Sequence, residues 1–149
     1  MKEAIVVDST CLIGLERIGQ LAFLPALFDP ITAPSEVARE FGSTLPWLTV
    51  ETPTNSSLVN ALKMLVDDGE AEALALAAEK QCRIVTDDRK ARTVAKQLNL
   101  QFIGTVGILI NAKQAQIIPA IKPLITDLEQ KGFFLSAALK AEALRLVGE

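Results

Sequence analysis

Two adjacent carboxylates follow a short strand-like run in the second half of the chain. The segment Ile84–Thr86 has the β-branched composition of a buried strand, and Asp87 and Asp88 come directly after it. In an open α/β sheet, ligands bind in the crevice beyond the carboxyl ends of the strands. These two aspartates therefore lie where a ligand site is expected, although either one could instead cap the following helix.

Three further acidic sites have comparable positions. Asp8 directly follows the first strand-like run, and Glu36 lies in the first turn of the helix after the second strand. Glu70 opens an alanine-rich helix and reaches the same edge only if the loop before that helix returns there. Strand carboxyl ends share one edge of a parallel sheet, so we expect these acids to meet. The neighbouring acids are interpreted as solvent-exposed, with Glu72 kept as the alternative to Glu70: Glu40, Asp67, Asp68 and Glu72.

Gathered carboxylates repel one another unless a cation lies among them or some are protonated. Their oxygens suit Mg²⁺ or Mn²⁺, and two such ions about 4 Å apart can activate a water and stabilise the leaving oxygen of a phosphodiester. The chain contains no histidine, which excludes Ser-His and Cys-His nucleophiles and the usual zinc sites. Hydrolysis assisted by a hard metal ion needs no histidine and is therefore compatible with this composition.

The bulk composition bounds the remaining possibilities. The 149 residues are enough for a single domain, and the net charge of −3 gives no general attraction for nucleic acid. No apolar run approaches the roughly 20 residues of a membrane span, and the N-terminus lacks the form of a signal peptide. We therefore expect one cytoplasmic domain over residues 1–149 that makes no membrane contact.

Strand and helix patterns alternate along the whole chain, which predicts the α/β class with a parallel sheet covered on both faces. The first strand, Ala4–Val7, precedes a helix that Ser9 and Thr10 are expected to cap. The alanine-rich helix is predicted over Ala73–Lys80. Two helices, broken at Gly132, are predicted within residues 118–149 and are expected to pack on the domain.

An ordered set of segments resembles the PIN domain, most closely the small stand-alone PIN proteins related to VapC-type toxins. These segments are Ile5–Thr10, Pro34–Val37, Gly69–Ala73, Thr86–Asp88 with Arg92 and Ala95, and Gly104–Gly107. The resemblance covers most of the chain from Ala4 onward. It implies a three-layer α/β/α fold with a central parallel sheet of four or five strands.

The resemblance also implies a metal-dependent ribonuclease that uses Mg²⁺ or Mn²⁺. Carried over by position, the catalytic acids are Asp8, Glu36, Glu70 and Asp88, all of them metal ligands, with Asp87 as a further ligand. Many relatives have aspartate where this chain has Glu70. Side chains alternate along a strand, so one of the two adjacent aspartates is expected to face the metal, and Asp88 is favoured.

Supporting roles fall to nearby polar and basic residues. Ser9 or Thr10 would orient a carboxylate or a bound water, and Thr105 would support the site from its glycine-flanked turn or simply cap a helix. Arg89, Lys90 and Arg92 are candidates for RNA phosphate contacts, although a helix face of this composition is more often simply solvated. Aromatic residues are sparse, so no platform for base stacking is evident.

The resemblance makes RNA the expected substrate, an antitoxin protein the expected partner and a homodimer the expected assembly. The apolar stripes of the C-terminal helices could serve either protein contact, but a core face explains most of them. The alternative function is a PIN-like binding module with a regulatory role and weak catalysis.

Overall fold

The computed structural model describes residues 2–149, which contain a five-stranded sheet with helices on both faces. The strands are β1 (Glu3–Val7), β2 (Phe28–Pro34), β3 (Leu48–Glu51), β4 (Arg83–Val85) and β5 (Phe102–Ile103). They lie in the order β3-β2-β1-β4-β5, and every pairing is parallel. The predicted α/β/α fold with a parallel sheet of four or five strands is confirmed.

Helices occupy most of the segments between and after the strands. They are α1 (Ser9–Arg17), α2 (Phe23–Leu27), α3 (Ser35–Phe41), α4 (Ser56–Leu62), α5 (Asp68–Lys80), α6 (Arg89–Gln97), α7 (Thr105–Gln114), α8 (Lys122–Gln130) and α9 (Ala137–Leu146). Helix α5 starts at Asp68, before the predicted Ala73, because the Asp67 side chain accepts the Glu70 N–H and caps the helix. None of the helices within residues 2–149 combines the length and apolarity that a bilayer crossing requires.

The sheet is buried on both faces, which explains the nearly continuous apolar runs of its strands. Ile5 and Val7 of β1 point into a core formed with α1, α2, α7 and the C-terminal helices. Val6 points the other way, together with Ile84 of β4, into a second core formed with α4, α5 and α6. The alternation of side chains along β1 therefore separates two helical layers.

The two C-terminal helices pack on the first of these layers. Ile121, Ile125 and Leu128 are buried there, and Gly132 has a φ of +90° in the turn between α8 and α9. This positive φ favours glycine and accounts for the predicted break at that residue. The Glu149 carboxylate accepts the Ile121 N–H at 2.8 Å, which attaches the end of the chain to the start of α8.

The strand order creates one switch point in the sheet. From β1 the chain builds outward through β2 and β3, and it then crosses to the other side of β1 to add β4 and β5. Adjacent connections leave a crevice at such a point, beyond the carboxyl ends of the two central strands. In this protein the crevice lies at the ends of β1 and β4.

Candidate active site

The ends of β1 and β4 bring the predicted acids together. Val7 pairs with Val85 in register, and the Asp8 N–H donates to the Val85 carbonyl at 3.1 Å. The residue after β1 therefore lies beside Thr86, immediately before the two adjacent aspartates. We call the four acidic residues at this switch point the acid crevice: Asp8, Glu70, Asp87 and Asp88.

Asp8 is the most enclosed member of the acid crevice, with 4% of its surface exposed. Its carboxylate accepts the Cys11 N–H at 3.0 Å and caps α1. The expectation that Ser9 and Thr10 cap this helix is therefore wrong, because the helix begins at Ser9, two residues before the predicted start at Cys11. Burial raises the pKa of Asp8 to about 7, and the charge of Asp87 adds to the rise against the opposing Cys11 hydrogen bond.

Glu70 lies in the first turn of α5, and this turn faces the same crevice. A helix that connects parallel strands runs antiparallel to them, so α5 starts at the edge where the strands end. The earlier reservation about its preceding loop is thereby removed. The pKa of Glu70 is raised to about 7. Burial is the largest cause, and the nearby charges of Asp67, Asp88 and Asp8 add to the rise. The alternative acid, Glu72, instead accepts the Glu36 N–H at 3.4 Å and faces α3.

Asp87 and Asp88 have different partners, as the alternation along a strand predicts. Asp87 accepts the Thr105 N–H at 2.9 Å and the Thr105 hydroxyl at 2.6 Å, and Arg92 lies 3.8 Å away. Asp88 caps α6 by accepting the Ala91 N–H at 2.8 Å, and its charge acts on Glu70. Asp87 is thus bound to the start of α7 and its charge acts on Asp8, whereas the charge of Asp88 acts on Glu70.

Thr105 is fully buried and supports the site through Asp87. Helix α7 has no side-chain cap at Gly104, so the Asp87 carboxylate takes that role by accepting the first helical N–H. The suggestion that Thr105 caps the helix with its own hydroxyl is therefore wrong. Its hydroxyl instead donates back to the same carboxylate.

Arg92 belongs to the framework of the site. Its Nε donates to the Thr86 carbonyl at 3.0 Å, and its guanidinium lies 5.0 Å from the centre of the Phe102 ring. These contacts and the Asp87 ion pair occupy the side chain. Arg89 and Lys90 are exposed in the first turn of the same helix, and their predicted phosphate contacts stay predictions.

Glu36 lies in an ion pair on α3. Arg39 donates to both of its carboxylate oxygens, and this hydrogen bonding holds the pKa of Glu36 below its ordinary value. The next charge that acts on it is Lys63, which lies beyond the crevice on the segment after α4. Asp8 is not among the charges that act on Glu36, and the assignment of Glu36 as a ligand stays a prediction.

Glu40, one turn further along α3, is exposed as predicted, and its carboxylate lies beside the starts of α1 and α5. The Ser9 hydroxyl donates to its Oε2 at 2.9 Å, next to the start of α1. A Cβ atom at residue 69 would collide with its Oε1, so this carboxylate lies against Gly69, beside Glu70. Glu36 and Glu40 share one face of a helix, and sequence position alone does not show which of them reaches the crevice. Ser9 thus donates to a carboxylate, that of Glu40, and its predicted role in the site stays a prediction.

The donor set fits a hard divalent cation in its chemistry. All donors are oxygens, and the pKa values of Asp8 and Glu70 are raised first by burial and then by the charges of neighbouring acids. The nearby arginines are already paired, Arg92 with Asp87 and Arg39 with Glu36. In the part of the chain that the structure describes, no three acidic or cysteine side chains converge closely enough to enclose an ion. The acids are therefore neighbours without being a closed metal cage.

Fold and site together define a parallel α/β domain with an acidic crevice at its switch point. A model of the PIN-domain family DUF3368 matches residues 4–149, and the chain belongs to the PIN-domain family. PIN domains are generally nucleases and typically bind divalent metal ions, so a hydrolase of nuclease type is the coarse assignment. A comparison with curated proteins found no match.

Proposed function

We propose that the protein is a metal-dependent endoribonuclease that cleaves RNA phosphodiesters with water as the nucleophile. The observation that carries this proposal is the acid crevice, in which Asp87 is paired with Arg92, and Asp8 and Glu70 each have a pKa of about 7. Neighbouring carboxylates that are withdrawn from water are costly, and they suggest a site that is completed by a cation. Membership of the PIN-domain family, whose members are generally nucleases, supports the nuclease activity in this proposal.

In this proposal Asp8, Glu70 and Asp88 hold Mg²⁺ or Mn²⁺, with Glu40 as a fourth acid in place of Glu36. When bound, such an ion supplies Lewis acidity toward a water molecule and the phosphate oxygens. The chain contributes prearranged carboxylates, because the Cys11 and Ala91 N–H groups fix Asp8 and Asp88. Ser9 fixes Glu40 in the same way, so little reorganisation is needed at the moment of reaction.

RNA cleavage by the purified protein tests this proposal. We expect cleavage of single-stranded RNA that depends on added Mn²⁺ or Mg²⁺ and is lost in Asp8→Asn. The variant Asp127→Asn is the matched control, since it makes the same substitution on the exposed face of α8. Equal cleavage by wild type and Asp8→Asn, or no cleavage by wild type with either metal, would contradict the proposal.

The cellular setting that we propose is the toxin of a toxin–antitoxin pair in the cytoplasm. The sequence resemblance to VapC-type toxins motivates it, and an antitoxin and a second copy of the chain are its proposed protein partners. Induced expression should arrest growth for wild type and not for Asp8→Asn. Normal growth with equal amounts of an RNA-cleaving wild type would contradict the toxin role and leave the nuclease proposal intact.

The alternative function, a PIN-like binding module, is favoured by one observation. The acidic side chains within residues 2–149 do not converge into a closed metal site. A module of this kind would be stabilised by Mn²⁺ without cleaving RNA. Thermal unfolding with and without Mn²⁺, measured beside the cleavage assay, separates the two functions.

A further inference from the structure

We propose that the cavity between α1 and the α8–α9 turn is a subsite for one unstacked nucleotide of a single-stranded RNA. This inference rests on the proposed function and names where the substrate strand leaves the acid crevice. The cavity has a volume of about 420 Å³, within the range of small-ligand pockets. The lining residues that the argument uses are Thr10, Arg17, Asp87, Lys131, Phe133 and Phe134.

The cavity shares Asp87 with the acid crevice. Thr10 lies in the first turn of α1, which Asp8 caps, and Asp87 follows β4 at the switch point. The rest of the lining lies toward the end of α1 and the turn after α8. A strand that places one phosphate at the acids can therefore direct an adjacent base into this cavity.

The α8–α9 turn presents aromatic surface to the cavity. Phe134 is 86% exposed, although a phenylalanine gains most from burial. The neighbouring Phe133 packs against α1, where a Cβ atom at Gly14 would lie 3.2 Å from its ring. An exposed flat ring beside a firmly packed one is suited to stack with a nucleobase.

Two cations complete the recognition of a nucleotide. Arg17 and Lys131 line the cavity, and neither forms an ion pair with any residue of the described chain, 2–149. The Arg17 Nη1 donates to the Lys131 main-chain carbonyl at 3.4 Å, which places the Arg17 guanidinium beside the α8–α9 turn. In a chain with a net charge of −3, two such cations favour an anionic ligand locally.

A planar ring and two cations next to a phosphodiester-cleaving site fit a nucleotide whose base has left its stack. In a duplex the base is paired and stacked, so its face is not available to Phe134. The subsite therefore predicts a preference for single strands over duplexes. It differs in this respect from the expectation that no platform for base stacking is evident.

Binding without cleavage tests the subsite. We expect a short fluorescein-labelled single-stranded RNA to bind in EDTA, measured by fluorescence anisotropy, and the duplex of the same sequence to bind more weakly. Phe134→Ala should weaken single-strand binding about tenfold, because stacking contributes strongly per base. The control Met64→Ala removes a side chain that is also 86% exposed, and it should leave the affinity unchanged.

The two cations are tested by substituting each of them, with a lysine at the other end of α8 as the control. Lys131→Gln and Arg17→Gln should each weaken binding and reduce the salt slope of the affinity by about 1. Lys122→Gln, at the opposite end of α8, should leave both unchanged. In the Mn²⁺ cleavage assay the subsite variants should raise KM with little change in kcat.

The outcomes separate the subsite from the nuclease. If wild type cleaves RNA and the Phe134, Arg17 and Lys131 variants match their controls, the subsite is overturned and the proposed function stands. If wild type fails to cleave but these variants lose affinity, the subsite is supported as a binding site and the nuclease proposal fails. Equal affinity for single strand and duplex overturns the stacking role.

Discussion

The acid crevice and the Glu36–Arg39 pair show the same residue type in opposite electrostatic settings. Both carboxylate groups lie near helix starts after parallel strands, and sequence position alone does not distinguish them. Arg39 neutralises Glu36 and lowers its pKa, whereas burial and neighbouring acids raise the pKa values of Asp8 and Glu70 to about 7. The difference teaches that the partners of a carboxylate, more than its place in the chain, mark it as structural or functional.

The two adjacent aspartates repeat this contrast at short range. Asp87 has the Thr105 N–H, the Thr105 hydroxyl and Arg92 as partners. Asp88 has one backbone N–H, and its charge raises the pKa of Glu70. Asp87 therefore holds the start of α7, its charge also acts on Asp8, and the preference for Asp88 as the metal ligand stays a prediction.

The strongest test of the comparison replaces each of the two glutamates of α3 by glutamine in turn. Glu40→Gln should lower kcat/KM for RNA cleavage about a thousandfold, as expected for loss of a metal-directed carboxylate worth several kcal/mol. Glu36→Gln removes a carboxylate that Arg39 already neutralises, and it should leave activity nearly unchanged. The opposite result would restore the prediction made for Glu36 and remove Glu40.

Asp8→Asn should stabilise the protein at alkaline pH. The folded pKa of about 7 lies above the ordinary value of 3.8, so folding favours protonated Asp8. The stability that this gives is fully present below about pH 4 and is lost as the pH rises through 7. Asparagine is neutral and still caps α1, so the gain at pH 8 should be on the order of 3 kcal/mol. Urea unfolding at pH 4 and pH 8 measures it, with Asp127→Asn as the control, and equal gains at both pH values would contradict it.

Thr105→Val should destabilise the framework beside the crevice by about 1–3 kcal/mol, because it leaves Asp87 without a buried hydroxyl partner. Thr105→Ser keeps the hydroxyl and should lose less. Chemical unfolding of both variants provides the comparison. A serine variant that is as unstable as valine would show that packing, and not the Asp87 hydrogen bond, is what Thr105 supplies.

Arg92→Gln should have the smallest effect, with a loss of about 1 kcal/mol in the free energy of unfolding. The substitution removes the Asp87 ion pair and the contact with Phe102. Arg89→Gln, in the exposed first turn of α6, should leave stability unchanged. A fall in RNA affinity without any loss of stability in Arg92→Gln would restore its predicted role as a phosphate contact.

The sequence predicted the strands and the acids at their ends, because β-branched runs and the residues that follow them are local patterns. Asp8 and Asp88 follow β1 and β4 as these patterns predict, and their roles stay predictions. The position of the Glu40 carboxylate beside Ser9 and Gly69 was not predicted, because it depends on how α3 packs against segments distant in the chain. The approach of Phe133 to Gly14 was not predicted for the same reason, since it joins segments far apart in the chain.

Mn²⁺ binding, followed by electron paramagnetic resonance, tests the central claim that the acid crevice is a cation site. Titrations at pH 8 should show Mn²⁺ bound to wild type, strongly weakened binding in Asp8→Asn, and nearly unchanged binding in Glu36→Gln. Equal binding by wild type and Asp8→Asn, or loss of binding in Glu36→Gln alone, would contradict the account.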